Sequence, residues 1–409
     1  MTSLFPELTI LGLMSGTSMD GIDGCVTRIQ LAQTNSTITL EHFDILETAS
    51  LNYPSDLRSR LLDTVNSQTV SLKALCELER DVGETFGLLA KTLCLQAETN
   101  GHPVEAIASH GQTIYHLPPQ GETKGYSLQI GSPDWIAESA QCPVIADFRP
   151  TDMALGGQGA PLVPFVDQLL YQDPSDWVAV QNLGGISNVT IISPLTEPNK
   201  LTFAFDTGPA NALIDLLCQT HFDTPFDQSG AFAAQGQVDL SLLETLLSEP
   251  YFQLSPPKST GRELFGQRFI DTHFKSSLLS MHDQIRTATE FTARSIQAAY
   301  QNHILPKTPV KTVIMSGGGT QNDFLMTRLS GLLSDIGVTL LPQNASKLPS
   351  QSKEAFAFAV LGAARLLDLP NTLPQCTGAS AAVSAGAIWR KDLISKSLAA
   401  KIHSARAIG

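Results

Sequence analysis

The sequence predicts an α/β fold of two similar halves around a central cleft. Short apolar runs alternate with longer helical patterns along the whole chain. A strand–glycine turn–strand unit occurs at residues 9–28 and again, with different residues, at 178–192. Each unit leads a mixed stretch of strands and helices.

LTILGLM, CVTRIQL and ITLEHFDIL read as a strand meander near the N-terminus. Leu57 to Val65 and Leu72 to Leu95 carry helical spacing. AIASHG (Ala106 to Gly111) reads as a strand end, and VIAD (Val144 to Asp147) as another. The glycine-rich DMALGGQGAPLVP reads as a loop. A second meander runs from VAVQNLGGISNVTIISP into TFAFDTGPAN. Ile285 to Ala299 is helical, and TVIMSGGGTQNDFLM is strand, glycine turn, helix. TGASAAVSAGAIWRKDLI looks helical and able to cross back to the first half. We therefore expect an N-terminal lobe of residues 1–150 and 377–409, and a C-terminal lobe of 151–376.

The chain has 409 residues, enough for two or three domains. Apolar residues make up 42% and charged residues 16%, so the chain is globular. No apolar run is long enough for a membrane span, and no signal peptide is visible. Both point to the cytoplasm. The six cysteines lack CxxC spacing and read as buried free thiols. A net charge of −13 argues against a general nucleic-acid binder.

In SGTSMDG, Gly16 and Gly21 let backbone approach a ligand, and Ser15, Thr17 and Ser18 add hydroxyl donors. Such a turn makes an anion nest. Asp20 and Asp23 would repel bare phosphate but suit an intervening Mg²⁺, often met through water. An empty hairpin turn is the alternative. Gly184 and Gly185 of LGGISN repeat the logic. Gly317, Gly318 and Gly319 of SGGGTQN lie between a strand and a helix, where a flat ring can rest on backbone. No Walker A loop and no GxGxxG follows a strand. Three glycine turns at strand ends in two halves are best explained by a nucleotide clamped between lobes.

Asp206, in FAFDTGPAN, sits at a strand end beside the expected cleft, where a general base is commonly held. Asp147 and Asp152 flank Arg149, a pattern that could equally be a structural clamp. Glu354 opens an apolar helical pattern and reads as a site acid or an ordinary first-turn acid. Lys258 and Arg262 of PKSTGRE suit an anionic ligand, or a solvated loop. His110, in SHGQT with Gln112 and Thr113, could contact a polar ligand or serve the fold.

GLMSGTSMDGID, SHGQT, LQIG, ADFRPTDMALGGQGAPLVP, NLGGISNV, FDTGPAN, PKSTGRE, SGGGTQN and the final TGAS together resemble the anhydro-N-acetylmuramic acid kinases, from about residue 10 to 390. Ala210 departs from that pattern, where a second glycine is usual, and so do Pro150 and Thr151, where arginine is frequent. The resemblance implies the actin, hexokinase and heat-shock-70 type of ATPase fold, and a homodimer. It implies ATP and Mg²⁺, and conversion of 1,6-anhydro-N-acetylmuramic acid to N-acetylmuramic acid 6-phosphate in cell-wall recycling. By motif, Gly16, Thr17, Ser18, Met19, Asp20, Gly21, Ile22 and Asp23 would form the ATP phosphate loop, with Asp20 meeting the metal through water. Asp206 would be the general base, Gly317–Gly319 would face adenosine, and Glu354 would lie near the sugar with His110, Gln112, Thr113 and Arg149. The competing expectations are a kinase for a related non-anhydro amino sugar and an actin-like ATP-binding scaffold.

Overall fold

The structure is a computed structural model. It describes all residues except Met1, Thr17, Ser36, Gln68, 120–122, 198–201, 276–277, 342–347, 350–351 and Gly409. The chain separates into two compact units, Met1–Leu170 with Gln351–Gly409, and Tyr171–Ser350. The expected division at residues 150 and 376 thus moves to 170 and 350.

The strands are β1 (Thr2–Leu4), β2 (Leu8–Ser15), β3 (Gly21–Thr34), β4 (Thr37–Asn52), β5 (Ala106–Leu117), β6 (Tyr126–Ile130) and β7 (Val144–Ala146). Next come β8 (Val178–Leu183), β9 (Ile186–Ile192), β10 (Phe203–Pro209), β11 (Thr312–Ser316), β12 (Thr339–Leu340) and finally β13 (Ala387–Trp389).

In the first unit β4, β3 and β2 form an antiparallel meander, and β5 and β7 continue it in parallel. In the second unit β10, β9 and β8 form the antiparallel meander, and β11 and β12 continue it in parallel. The order is the same in both. In each sheet the first strand of the meander is central and buried. β1, β6 and β13 extend the first sheet.

Local sequence explains the layers. Ser71 caps helix Leu72–Thr99 by accepting from the Ala74 amide at 3.2 Å. Val82, Phe86, Leu89 and Leu93 recur at helical spacing and are buried against one face of the first sheet. Each is worth about 1.5–3 kcal/mol of burial. The opposite face is covered by helix Lys353–Leu366, in which Ala355, Ala359, Gly362 and Ala363 keep the profile narrow. A Cβ on Gly12 of β2 would lie 1.8 Å from the Ala355 carbonyl oxygen. This close approach is why residues 353–366 belong to the first unit.

Two further expectations change. TGASAAVSAGAIWRKDLI is not a crossing helix: residues 378–386 are irregular, and β13 pairs antiparallel with β7. Part of DMALGGQGAPLVP is helical, within Phe148–Ala154. Of the cysteines, Cys25, Cys142, Cys218 and Cys376 are buried free thiols, but Cys76 is exposed and Cys94 partly so.

Candidate active site

The first glycine turn joins β2 to β3. Ser15 Oγ donates to the Gly21 carbonyl at 2.7 Å and to Gln112 Oε1 at 2.7 Å. Gln112 Nε2 donates to the Gly16 carbonyl at 3.2 Å, and Tyr53 OH donates to Ser15 Oγ at 3.2 Å. Gly16 has open space at its Cα, so its backbone is accessible. Gln112 is fully buried and both ends of its amide are spent on the turn, so it shapes the loop rather than facing a ligand. Met19 and Ile22 anchor the turn in the core; only their backbone is available to a ligand. Thr17 lies outside the described residues. Asp20 pairs with Arg58 at 2.6 Å, while Asp23 accepts from Ser50 Oγ. Burial raises the Asp23 carboxyl above its usual range, partly offset by that hydrogen bond.

SHGQT was expected at a strand end, but β5 continues through it to Leu117, with a kink at Gly111 (φ 73°). His110 is buried, and its Nδ1–H donates to the Gly111 carbonyl at 3.0 Å. That leaves Nε2 to accept from Arg149 Nε at 3.1 Å and Nη2 at 2.9 Å. His116 Nδ1 lies 3.5 Å from Arg149 Nη1. Burial first, and the guanidinium second, push His110 down to about 3 and His116 down to about 4. Both rings are neutral acceptors that fix the arginine. The suggested Arg149–Asp clamp is absent: Asp152 instead accepts from Thr377 Oγ1 at 2.7 Å and the Gly159 amide at 2.9 Å. Thr113 accepts from Gln129 Nε2 at 3.1 Å.

Glu354 sits in the first turn of helix Lys353–Leu366. The preceding Lys353 is buried and paired with Asp167 at 2.9 Å, which pins the start of the helix. Crowding by protein raises the Glu354 carboxyl, Lys353 lowers it, Asp23 raises it and Arg149 lowers it. Its solvent-exposed side chain moderates the upward push. Asp23, Arg149 and Glu354 thus form one electrostatic cluster in the first unit.

In the second unit Gly184 and Gly185 make the two-residue turn between β8 and β9. Their carbonyls accept from the amides of Asn211, Ala210 and Ala212 at 2.9–3.0 Å. Gly317 has φ 88°, and a Cβ there would lie 2.6 Å from the Leu183 carbonyl oxygen. The two turns therefore pack together at the ends of parallel β8 and β11. Beside them is a cavity of about 220 Å³ lined by Asn211, Asp215, Phe226, Gly318, Gly319 and Asn322, among others. Phe226 is 50% exposed at its edge. Burial pushes Asp215 up to about 7, against Arg262 and with help from Asp227. Asp227 accepts from the Phe232 and Ala233 amides at 2.8 and 3.0 Å.

Asp206 lies inside β10, opposite Asn188, where the register slips between Asp206 and Gly208. Its amide donates to the Lys258 carbonyl at 3.1 Å, and its carbonyl accepts from Tyr251 OH at 2.6 Å. Oδ2 accepts from the Thr260 amide at 2.9 Å. PKSTGRE therefore holds the carboxylate on backbone, and Lys258 is buried rather than solvated. Desolvation pushes Asp206 up to about 7; the Thr260 amide opposes it and Glu263 adds to it. Ala210 is fully buried, with its carbonyl accepting from Thr292 Oγ1 at 2.9 Å, so its methyl fits.

Asp215, Phe226 and Asp227 were not singled out from sequence; FDTPFDQSG carries no glycine turn after a strand. His116 was not singled out from sequence either. Among the described residues no helix is long and apolar enough to cross a membrane, and no three His, Cys, Asp or Glu side chains cluster to hold a metal.

A duplicated meander-plus-parallel sheet with glycine turns at strand ends defines an ATPase-type fold of the actin, hexokinase and heat-shock-70 class. A family model described as anhydro-N-acetylmuramic acid kinase matches residues 8–391. The anhydro-N-acetylmuramic acid kinase of Bacillus cereus (strain Q1) is 39% identical over 379 residues, which is 92% of this chain and 98% of that protein. That of Gloeobacter violaceus is 41% identical over 382 residues, 93% of this chain and 98% of its own. A solved ROK family glucokinase from Streptomyces griseus, in complex with glucose and AMPPNP, matches at 11% identity and a TM-score of 0.35, over 86% of this chain and 98% of that one. The chain belongs to the anhydro-N-acetylmuramic acid kinase family and is a phosphotransferase.

Proposed function

We propose that this kinase uses ATP to open 1,6-anhydro-N-acetylmuramic acid with water and phosphorylate O6, giving N-acetylmuramic acid 6-phosphate, with Asp206 as general base. The observation that supports it most is the state of Asp206: a half-buried carboxyl pushed up to about 7, with one oxygen held by the Thr260 amide. A base is most effective with its pKa near the working pH.

The sugar's O6 is bound to C1 and has no proton to give, so the base acts on water. Asp206 takes a proton as the water oxygen bonds to C1. The C1–O6 bond breaks, and O6 bonds to the γ-phosphorus as ADP leaves. Thr260 Oγ1 is buried beside Asp206 without a partner among the described residues, and suits the same water. The first turn offers backbone amides and Ser18 to phosphate oxygens. The 220 Å³ cavity takes adenosine, with Phe226 against the base and Asp215 on ribose hydroxyls. Arg149, fixed by two neutral imidazoles, and Glu354 meet the sugar.

Mg²⁺, when bound, neutralises charge on the transferring phosphoryl group. Asp20 fits a contact to its water shell: the ion pair with Arg58 is exposed on both sides, at 43% and 63%, and holds the carboxylate only weakly.

Mass spectrometry of the anhydro sugar and of open N-acetylmuramic acid, each incubated with ATP and Mg²⁺, tests the reading. We expect a phosphorylated, ring-opened product from the anhydro sugar. Phosphorylation of the open sugar alone would assign a different amino-sugar kinase.

A further inference from the structure

A second cavity, of about 240 Å³, lies in the second unit against Thr207, Phe252, Lys258, Arg294, Asn302 and His303, among others. None of these residues was assigned to nucleotide or sugar above. The lining carries no carboxylate. Lys258 is 9% exposed, and its Nζ donates to the Tyr251 carbonyl at 3.3 Å and lies 4.7 Å from that ring's centre. Among the described residues it has no carboxylate partner; a lysine this buried is normally paired. Arg294 is already held by Glu290 at 2.9 Å, and the same carboxylate takes Arg328 at 2.8 Å.

The backbone supplies an independent sign. Helix Met281–Ala299 ends in a π-helical turn, Tyr300–Ile304, which carries Asn302 and His303 on the cavity wall. Such turns are rare and concentrate at functional sites. The His303 ring is hydrogen-bonded to the Phe252 backbone, leaving its other nitrogen for a ligand. Ser295 and Asn302 add neutral polar groups, while Leu247 and Phe252 supply apolar walls.

We infer that this cavity is a second ligand site, for a small hydroxylated molecule bearing one phosphate or carboxylate group, with its anionic oxygens on Lys258. The Lys258 carbonyl holds the Asp206 amide, and the Thr260 amide holds the Asp206 carboxylate. An occupant that shifts Lys258 is therefore felt at the general base, and the site is regulatory.

Calorimetric titration of glycerol 3-phosphate and of glycerate, into the free enzyme and into enzyme loaded with a non-hydrolysable ATP analogue, tests this. We expect saturable binding of one of the two in both states, which also decides between phosphate and carboxylate. Ala298→Leu fills the cavity without touching the other sites, and Lys258→Met removes the cation. Each weakens that binding about tenfold or more, and Ala298→Leu leaves ATP-analogue affinity unchanged. Asn302→Leu replaces Ala298→Leu if the latter does not fold. The bound anion changes kcat with little change in KM for ATP. Absence of saturable binding, binding that survives in Ala298→Leu or Asn302→Leu, or binding competed away by the ATP analogue would each overturn the inference.

Discussion

The backbone amide of Thr260 donates to Asp206 Oδ2 at 2.9 Å, while Lys258 two residues earlier accepts from the Asp206 amide at 3.1 Å. PKSTGRE thus runs beside β10 as a short splint for one carboxylate. The splint fixes the orientation of Asp206 and tempers, without cancelling, the effect of desolvation. A carboxyl with a raised pKa results, as the proposed role of general base requires.

That raised pKa gives a pH dependence of definite sign. Asp206 must be ionised to accept a proton, so log kcat/KM for the sugar should rise with unit slope below about 7 and level off above it. Stability runs the other way. The folded state binds the Asp206 proton more tightly than the unfolded state, so this residue's contribution falls as pH rises from 3.8 through about 7. Thermal unfolding at pH 8 should show Asp206→Asn stabilised by on the order of 1 kcal/mol. An unchanged or lowered midpoint would mean the carboxylate is better solvated than its surroundings indicate.

Gly318 lines the 220 Å³ cavity and has no atom within 4 Å of a built Cβ. Gly318→Val should therefore fold normally, with the valine projecting into the space proposed for the nucleotide. KM for ATP should rise about tenfold or more, at constant KM for sugar. An unaltered KM for ATP would move adenosine elsewhere.

Arg149 is a planar donor fixed by two imidazole acceptors. Lysine cannot reproduce two contacts to His110 Nε2 from one head group. Arg149→Lys should raise the sugar KM by about tenfold, with KM for ATP unchanged. A loss of kcat alone would place Arg149 in the transition state rather than in sugar binding.

Gly12→Ala drives a methyl to within 1.8 Å of the Ala355 carbonyl oxygen. Helix Lys353–Leu366 must then lift from β2. We expect a loss of about 2–3 kcal/mol in denaturant unfolding. Because Glu354 rides on that helix, sugar affinity should fall in the same variant. Wild-type stability would show that the helix yields without cost.

The meanders were legible in sequence because their strands are short apolar runs and the first turn of each, SGTSMDG and LGGISN, carries glycines. SGGGTQN stood out because its glycines follow an apolar strand; FDTGPAN stood out in the same way, although β10 runs on through Asp206 to Pro209 with a register slip instead of ending there. The ownership of residues 353–366 was not. It depends on Gly12 and Gly362 lowering the barrier between helix and sheet, a pairing across more than three hundred residues that no local pattern reveals. Gln112 read as a ligand contact because an amide beside a histidine looks chemical; burial shows it holding the turn. AIW was hidden at the end of an alanine- and serine-rich run with high helical propensity, and tertiary pairing with β7 overrode that propensity. Phe226 and Asp215 became visible only when folding brought them beside Gly318.

The most direct measurement is incubation of the anhydro sugar with ATP, Mg²⁺ and oxygen-18 water, followed by mass spectrometry of the product. For the wild type we expect one phosphoryl group and one labelled oxygen at C1, formed together. In Asp206→Asn we expect both to fall by about 10²–10⁴-fold while ATP-analogue binding persists. Phosphoryl transfer without label, or near-normal labelling in Asp206→Asn, would contradict water activation by this carboxylate.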